Sequence, residues 1–130
     1  FLTAARRAIA DIHDALPKAF DNGQDIAARE TMLNASMIAG MAFTNVSLGI
    51  VHSMAHTVGS LFHVAHGLAD AIILPYIIRF NSGDERARAL YESVAAAFGT
   101  DDMAAVVQGL NKKLHIPVAL SGVIKEAGGY

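Results

Sequence analysis

Apolar residues recur along this chain at intervals of three and four, with no strand-length alternation. Leu2, Ala5, Ile9, Ile12 and Leu16 form a first stripe, opposed by Arg6, Arg7, Asp11 and Asp14. This predicts a helix over residues 2–16. Pro17 is expected to end or kink it, because proline disfavours helix in the residue before it. Asp21-Asn22-Gly23 reads as a turn. A second helix is predicted over 24–43, with Asp25, Arg29 and Glu30 early and polar and Leu33, Met37, Ile38 and Met41 as its apolar stripe. Its later half has almost no polar face, which predicts burial all round. Thr44-Asn45 reads as a break, with Asn45 as N-cap of a third helix that runs to about 62.

A fourth helix is predicted from His66 through Leu68, Ile72, Ile73, Leu74, Ile77 and Ile78. Pro75 is expected to kink it, and Asn81-Ser82-Gly83 to end it. A fifth spans 84–98, capped by Asp84 and closed by Gly99, with Ala87, Leu90, Tyr91, Val94 and Phe98 on its apolar side. A sixth spans 101–115, with Met103, Val106, Val107, Leu110 and Leu114 inward. Ile116-Pro117 follows as an extended dipeptide, and a short turn is expected in 119–130. No internal repeat interrupts this order. The fold class is all-α, a helical bundle.

Composition adds one departure from the ordinary. Hydrophobic residues make up 53% and charged ones 17% of the 130 residues, against roughly 45–50% and 25% in average domains. The length suits one domain, residues 1–130. A small domain this apolar is expected to show apolar patches and to cover them as a homo-oligomer or against a partner. The net charge of −2, with Lys and Arg unclustered, gives no reason to expect nucleic acid. The absence of Cys excludes disulfides and thiolate chemistry, and fits a reducing, cytoplasmic setting. No secretory leader pattern is visible. The longest apolar run, 37–51, contains Thr44, Asn45 and Ser47, and falls short of the ~20 residues a membrane span needs. The chain starts with Phe1, not Met, and is expected to be a piece of something longer.

Candidate chemistry gathers in residues 49–67. His52, His56, His63 and His66 lie there, four of the chain's six histidines. His52 and His56 stack on one helix face, and Gly59 and His63 continue that stripe. His66 opens the next helix. Three or four imidazoles can thus be aimed at one point, and neutral imidazole is the commonest metal-ligating side chain. Ser53 stands where a zinc protease of H-E-x-x-H type has its Glu, so that chemistry is disfavoured. The acids nearest in sequence are Asp70 and, further off, Asp11, Asp14 and Asp25, and none has a spacing that singles it out. By the residues alone the metal site is incomplete, since a hard divalent ion wants an oxygen ligand. Each histidine taken singly also fits a core or surface role, and His13 and His115 are read as structural. Met41 and Met54 read most simply as core filler.

Residues 49–81, G-I-V-H-S-M-A-H-T-V-G-S-L-F-H-V-A-H-G-L-A-D-A-I-I-L-P-Y-I-I-R-F-N, resemble the metal-binding signature of the iron-containing (group III) alcohol dehydrogenases. That pattern reads G-x-x-H-x-x-A-H-x-x-G, a short gap, then P-H-G and an apolar helix ending near L-P and F-N. Residues 37–46 resemble the family's preceding helix. Leu114-His115-Ile116-Pro117 resembles its later glycine-isoleucine-proline turn. The resemblance covers nearly the whole chain.

The resemblance implies the C-terminal helical domain of a metal-dependent, NAD(P)-linked oxidoreductase that transfers hydride between an alcohol and an aldehyde or ketone. By position it makes His52 and His66 metal ligands and His56 the catalytic histidine beside substrate and nicotinamide, assisting proton movement. His63 falls at a variable position. The ion implied is divalent, Fe(II) first and Zn(II) as the alternative. The family's remaining Asp and His ligands and its glycine-rich nucleotide-binding turn would precede Phe1, so NAD(P) would bind only with that other domain. The isolated chain is expected to be inactive. Two departures stand out: Ala65 replaces Pro before His66, and Asp70 stands where Asn is common. Two alternatives remain open at this point. One is a maleylacetate-reductase-like enzyme; the other is a non-catalytic helical module for metal binding or oligomerisation.

Overall fold

The computed structural model describes residues 2–43 and 49–124. Among them are six α-helices and no strand: α1 Leu2–Asp21, α2 Ile26–Phe43, α3 Ile50–Phe62, α4 His66–Asn81, α5 Glu85–Ala95 and α6 Met103–Lys113. Short 3-10 turns follow at Ala96–Phe98 and Leu120–Gly122. The helical periodicity is therefore realised throughout, and no described helix is long and apolar enough to cross a membrane. The helices fall into two compact units, Phe1–Ser47 and Leu48–Tyr130.

The first unit is an α1–α2 hairpin. Its turn is the expected one, with the Asn22 carboxamide oxygen accepting from the Gln24 N–H at 3.0 Å. Asp25 then caps α2 by accepting from the Ala28 N–H at 3.0 Å. Two sequence expectations are corrected here. Pro17 does not end α1, which continues to Asp21 with the proline inside it. Proline's fixed φ is itself helical, so the loss is one N–H donor and local crowding. Burial of the hairpin seam offsets that loss.

The seam of the hairpin is also made by other residues than expected. Leu33, Met37 and Met41, expected to face inward on α2, are 72%, 58% and 57% exposed. The buried positions are alanines, Ala8 and Ala15 on α1 and Ala28, Ala35 and Ala42 on α2, each seven residues from the next on its helix. Small side chains let two helix backbones approach closely, and a seven-residue spacing keeps them on one seam. The later half of α2 is thus apolar without being buried all round.

In the second unit α4 is the hub, contacting α3, α5 and α6. Ala55, Val64, Ala69 and Ile73 form a core cluster between α3 and α4, with Leu120, Val123 and Ile124 of the tail packed on it. The α3–α4 link is three residues long. His63 ends α3 in the left-handed region, φ 55°, donating its N–H to the Gly59 carbonyl. A Cβ on Gly59 would lie 3.1 Å from the Val64 carbonyl oxygen, so glycine is what lets the link turn this tightly. Helix α3 begins at Ile50 with Gly49 as its N-cap. The break at Thr44-Asn45 lies outside the described residues.

Pro75 sits buried inside α4 and cannot donate to the Ala71 carbonyl one turn back. Asn111 of α6 supplies the missing donor: its side-chain N–H reaches the Ala71 oxygen at 2.7 Å. A second link across the same interface runs from Arg79 to Gln108, 2.9 Å. Tyr76 donates to the Val118 carbonyl at 2.7 Å, tying α4 to the tail.

The remaining helices follow the sequence closely. Asp84 caps α5 and Asp102 caps α6, each accepting from an N–H three residues on, at 2.9 Å. Gly99 closes the turn after α5 at φ 74°. Leu90 is the exception, 44% exposed although it was placed on the apolar side. His115 adopts φ 56°, a conformation glycine reaches without strain.

Candidate metal centre

Helix α3 puts His52 and His56 one turn apart on the face that meets the start of α4. Helix α4 brings His66 as its first residue and Asp70 one turn further on. Fourteen residues separate His52 from His66 in sequence, yet His52 Nδ1 and His66 Nε2 are 3.1 Å apart. Asp70 Oδ2 completes a triangle, 3.1 Å from His66 Nε2 and 3.5 Å from His52 Nδ1. Among the described residues, these three form the grouping able to share a metal ion.

The triangle can be tested against coordination chemistry. Donors about 2.0–2.2 Å from one ion, with angles of about 90–110° between them, lie roughly 2.8–3.6 Å from one another. All three observed edges fall inside that range. The donor set, two imidazole nitrogens and one carboxylate oxygen, suits a first-row divalent cation. The two imidazole nitrogens face each other at hydrogen-bond distance, so either a proton or a cation must lie between their lone pairs. The other oxygen, Asp70 Oδ1, is buried and has no hydrogen-bond partner among the described residues. The histidine side chains are 38% and 43% exposed, so the grouping can be reached from solvent.

His56 stands beside the triangle without joining it. Its ring centroid is 4.6 Å from that of His66, tilted by 41°, and the residue is exposed. His52 and His66 stack at 5.3 Å and 23°. His63 is the histidine the structure takes away from the group. The expected stripe of His52, His56, Gly59 and His63 breaks because α3 ends at Phe62, and His63 serves as the left-handed cap. Asp70 is the residue that sequence reasoning passed over. A signal was available, since Asp70 follows His66 by four residues and such pairs share a helix face.

Two helices of an all-α chain thus meet at a His/His/Asp grouping of the kind that could hold a metal ion, with a further histidine beside it. Residues 3–126 match the family described as "Fe-containing alcohol dehydrogenase family, C-terminal". The chain is 43% identical over 123 residues to an NADPH-dependent butanol dehydrogenase of Clostridium saccharobutylicum, covering 89% of this chain and 31% of that one. It is 42% identical over 107 residues to a 1-propanol dehydrogenase of Salmonella typhimurium, covering 78% and 29%. Among solved structures, an iron-containing alcohol dehydrogenase from Corynebacterium glutamicum superposes with a TM-score of 0.81 at 33% identity, over 98% of this chain and 35% of that one. A sulfoacetaldehyde reductase from Bifidobacterium kashiwanohense, in complex with NAD+, gives 0.83 at 26% identity, over 96% and 34%. The chain belongs to the iron-containing alcohol dehydrogenase family and spans about a third of the length of these relatives.

Proposed function

We propose that this chain is the helical, metal-holding part of an NAD(P)-linked dehydrogenase that interconverts small alcohols with aldehydes or ketones. The observation that carries this reading is the meeting of His52 and His66 at 3.1 Å, with the His56 ring against His66, in a chain of this family. His52 and His66 would hold the ion, Fe(II) in the first instance and Zn(II) as the alternative. When bound, a divalent ion there supplies Lewis acidity that favours loss of the hydroxyl proton from an alcohol.

The chain's own residues supply the proton path and the spacing of the ligands. His56, exposed and beside His66 outside the donor triangle, would accept that proton and pass it to solvent. The α3–α4 link fixes how far apart the two ligating histidines stand. The nicotinamide cofactor would be held by the family's nucleotide-binding domain, and without it the chain would perform no hydride transfer. The apolar residues exposed on α2, Leu33, Met37 and Met41, support an assembly in which that domain or a second copy covers them. A cytoplasmic setting fits the cysteine-free composition.

The test is a chimera in which these 130 residues replace the matching segment of the Clostridium saccharobutylicum butanol dehydrogenase. Loaded with Fe(II) or Zn(II), it should oxidise small primary alcohols with NADP+. His52→Ala and His66→Ala should lose both metal and turnover, whereas His56→Ala should keep the metal and lose rate by about 10²-fold or more. Alcohol oxidation by the isolated chain, or a fully active His52→Ala chimera, would refute the proposal.

A further inference from the structure

We infer that Asp70 is itself a metal ligand, so that residues of the second unit alone hold a divalent cation through His52 Nδ1, His66 Nε2 and Asp70 Oδ2. The inference rests on the reading of His52 and His66 as ligands and adds to it a carboxylate and a self-sufficient site.

Three independent observations converge on Asp70. Its Oδ2 lies at 3.1 and 3.5 Å from the two imidazole nitrogens, and these are the same two atoms that face each other. All three edges match one ion held by three donors on one side. Its Oδ1 is buried and has no hydrogen-bond partner among the described residues. A carboxylate with one oxygen buried and unpaired is costly to keep charged, and a cation on its other oxygen offsets that cost through the charge the two oxygens share. Finally, the helix backbone that carries the carboxylate is anchored in the core. Ala69, its neighbour on α4, is fully buried in the α3–α4 core with Ala55, Val64 and Ile73, so the helix turn that carries Asp70 cannot swing away.

Charge balance favours the carboxylate as well. Two neutral imidazoles leave a divalent ion with its full +2 charge in a half-buried site. A carboxylate in contact halves it. Such a two-histidine, one-carboxylate face suits Fe(II), Co(II), Mn(II) or Zn(II), and leaves open positions on the exposed side. All three ligands come from α3 and α4, which pack on one core, so metal binding needs no ligand from elsewhere.

The experiment is a Co(II) titration of the 130-residue chain, read by visible absorption, with Zn(II) competition to obtain affinity. The unmodified chain should bind one equivalent. Asp70→Asn keeps the shape of the side chain and its helix; it should lower affinity by about 100-fold and change the Co(II) spectrum, with circular dichroism unchanged. His52→Ala and His66→Ala should weaken binding at least as much. If Asp70→Asn binds within twofold of the unmodified chain while the histidine variants lose the ion, the inference about Asp70 falls and the family reading stands. If the unmodified chain binds no Co(II), the self-sufficient site falls. If His52→Ala and His66→Ala bind normally, both readings fall together. Should Asp70→Asn not fold, Asp70→Ala, which suits a helix interior, decides. A loss of Co(II) affinity of about 100-fold in the folded variant supports ligation, and affinity within twofold of the unmodified chain overturns it.

Discussion

The Pro75–Asn111 pair offers a quantitative test of how the site-bearing helix is held. Pro75 removes the N–H that would have met the Ala71 carbonyl, and Asn111 replaces it from α6 at 2.7 Å. Asn111→Ala therefore removes a hydrogen bond and leaves a half-buried carbonyl unsatisfied. The bond itself is worth about 1 kcal/mol and the stranded acceptor costs a further 1 kcal/mol or so, giving about 2 kcal/mol of destabilisation. Pro75→Ala restores the N–H and lets the helix close on itself. In that background Asn111→Ala should cost only about 0.5 kcal/mol. The double-mutant cycle by urea denaturation should then show a coupling of about 1.5 kcal/mol, well beyond the 0.3–0.5 kcal/mol scatter of independent sites. Additive effects within that scatter would refute the argument that Asn111 answers the proline.

Three further outcomes are expected. Ala65, the residue before His66, has φ −56°, inside proline's range, so Ala65→Pro should stabilise the chain by about 0.4–1 kcal/mol in thermal or urea unfolding; a loss of stability would show that the link cannot take the ring. His63 holds a left-handed φ of 55° as the cap of α3, so His63→Gly should be neutral or stabilising by up to about 1 kcal/mol and leave Co(II) affinity unchanged. A drop in affinity would return His63 to the metal group. One bound divalent ion at 100 times its Kd should stabilise the chain by about 2.7 kcal/mol, and a chelator should reverse the rise in Tm; identical melting curves with and without metal would contradict the proposed site.

Much of the fold is legible in local chemistry. The 3.6-residue period, the Asp84 cap and the closing Gly99 are each matters of a few neighbouring residues, and each appears near its expected place; the caps Asp25 and Asp102 are equally local. The alanine seam of the first unit was not legible in this way. Hydrophobic ranking points inward with Leu33, Met37 and Met41, while close helix packing selects Ala28, Ala35 and Ala42. The persistence of α1 through Pro17 has the same origin, since packing along a whole helix outweighs one lost donor.

By itself the sequence determined the helices, the signature around His52, His56 and His66, and through these the family. Those features depend on spacing along the chain, and spacing is what a sequence records. Only the tertiary structure decided which ring faces which. It brought His66 back onto His52 across a three-residue link, turned His63 away as a cap, and set the Asp70 carboxylate on both imidazoles. The physical reason is that a metal site is a set of distances among a few atoms, and those distances are fixed by the packing of α3 on α4 around Ala55, Val64, Ala69 and Ile73.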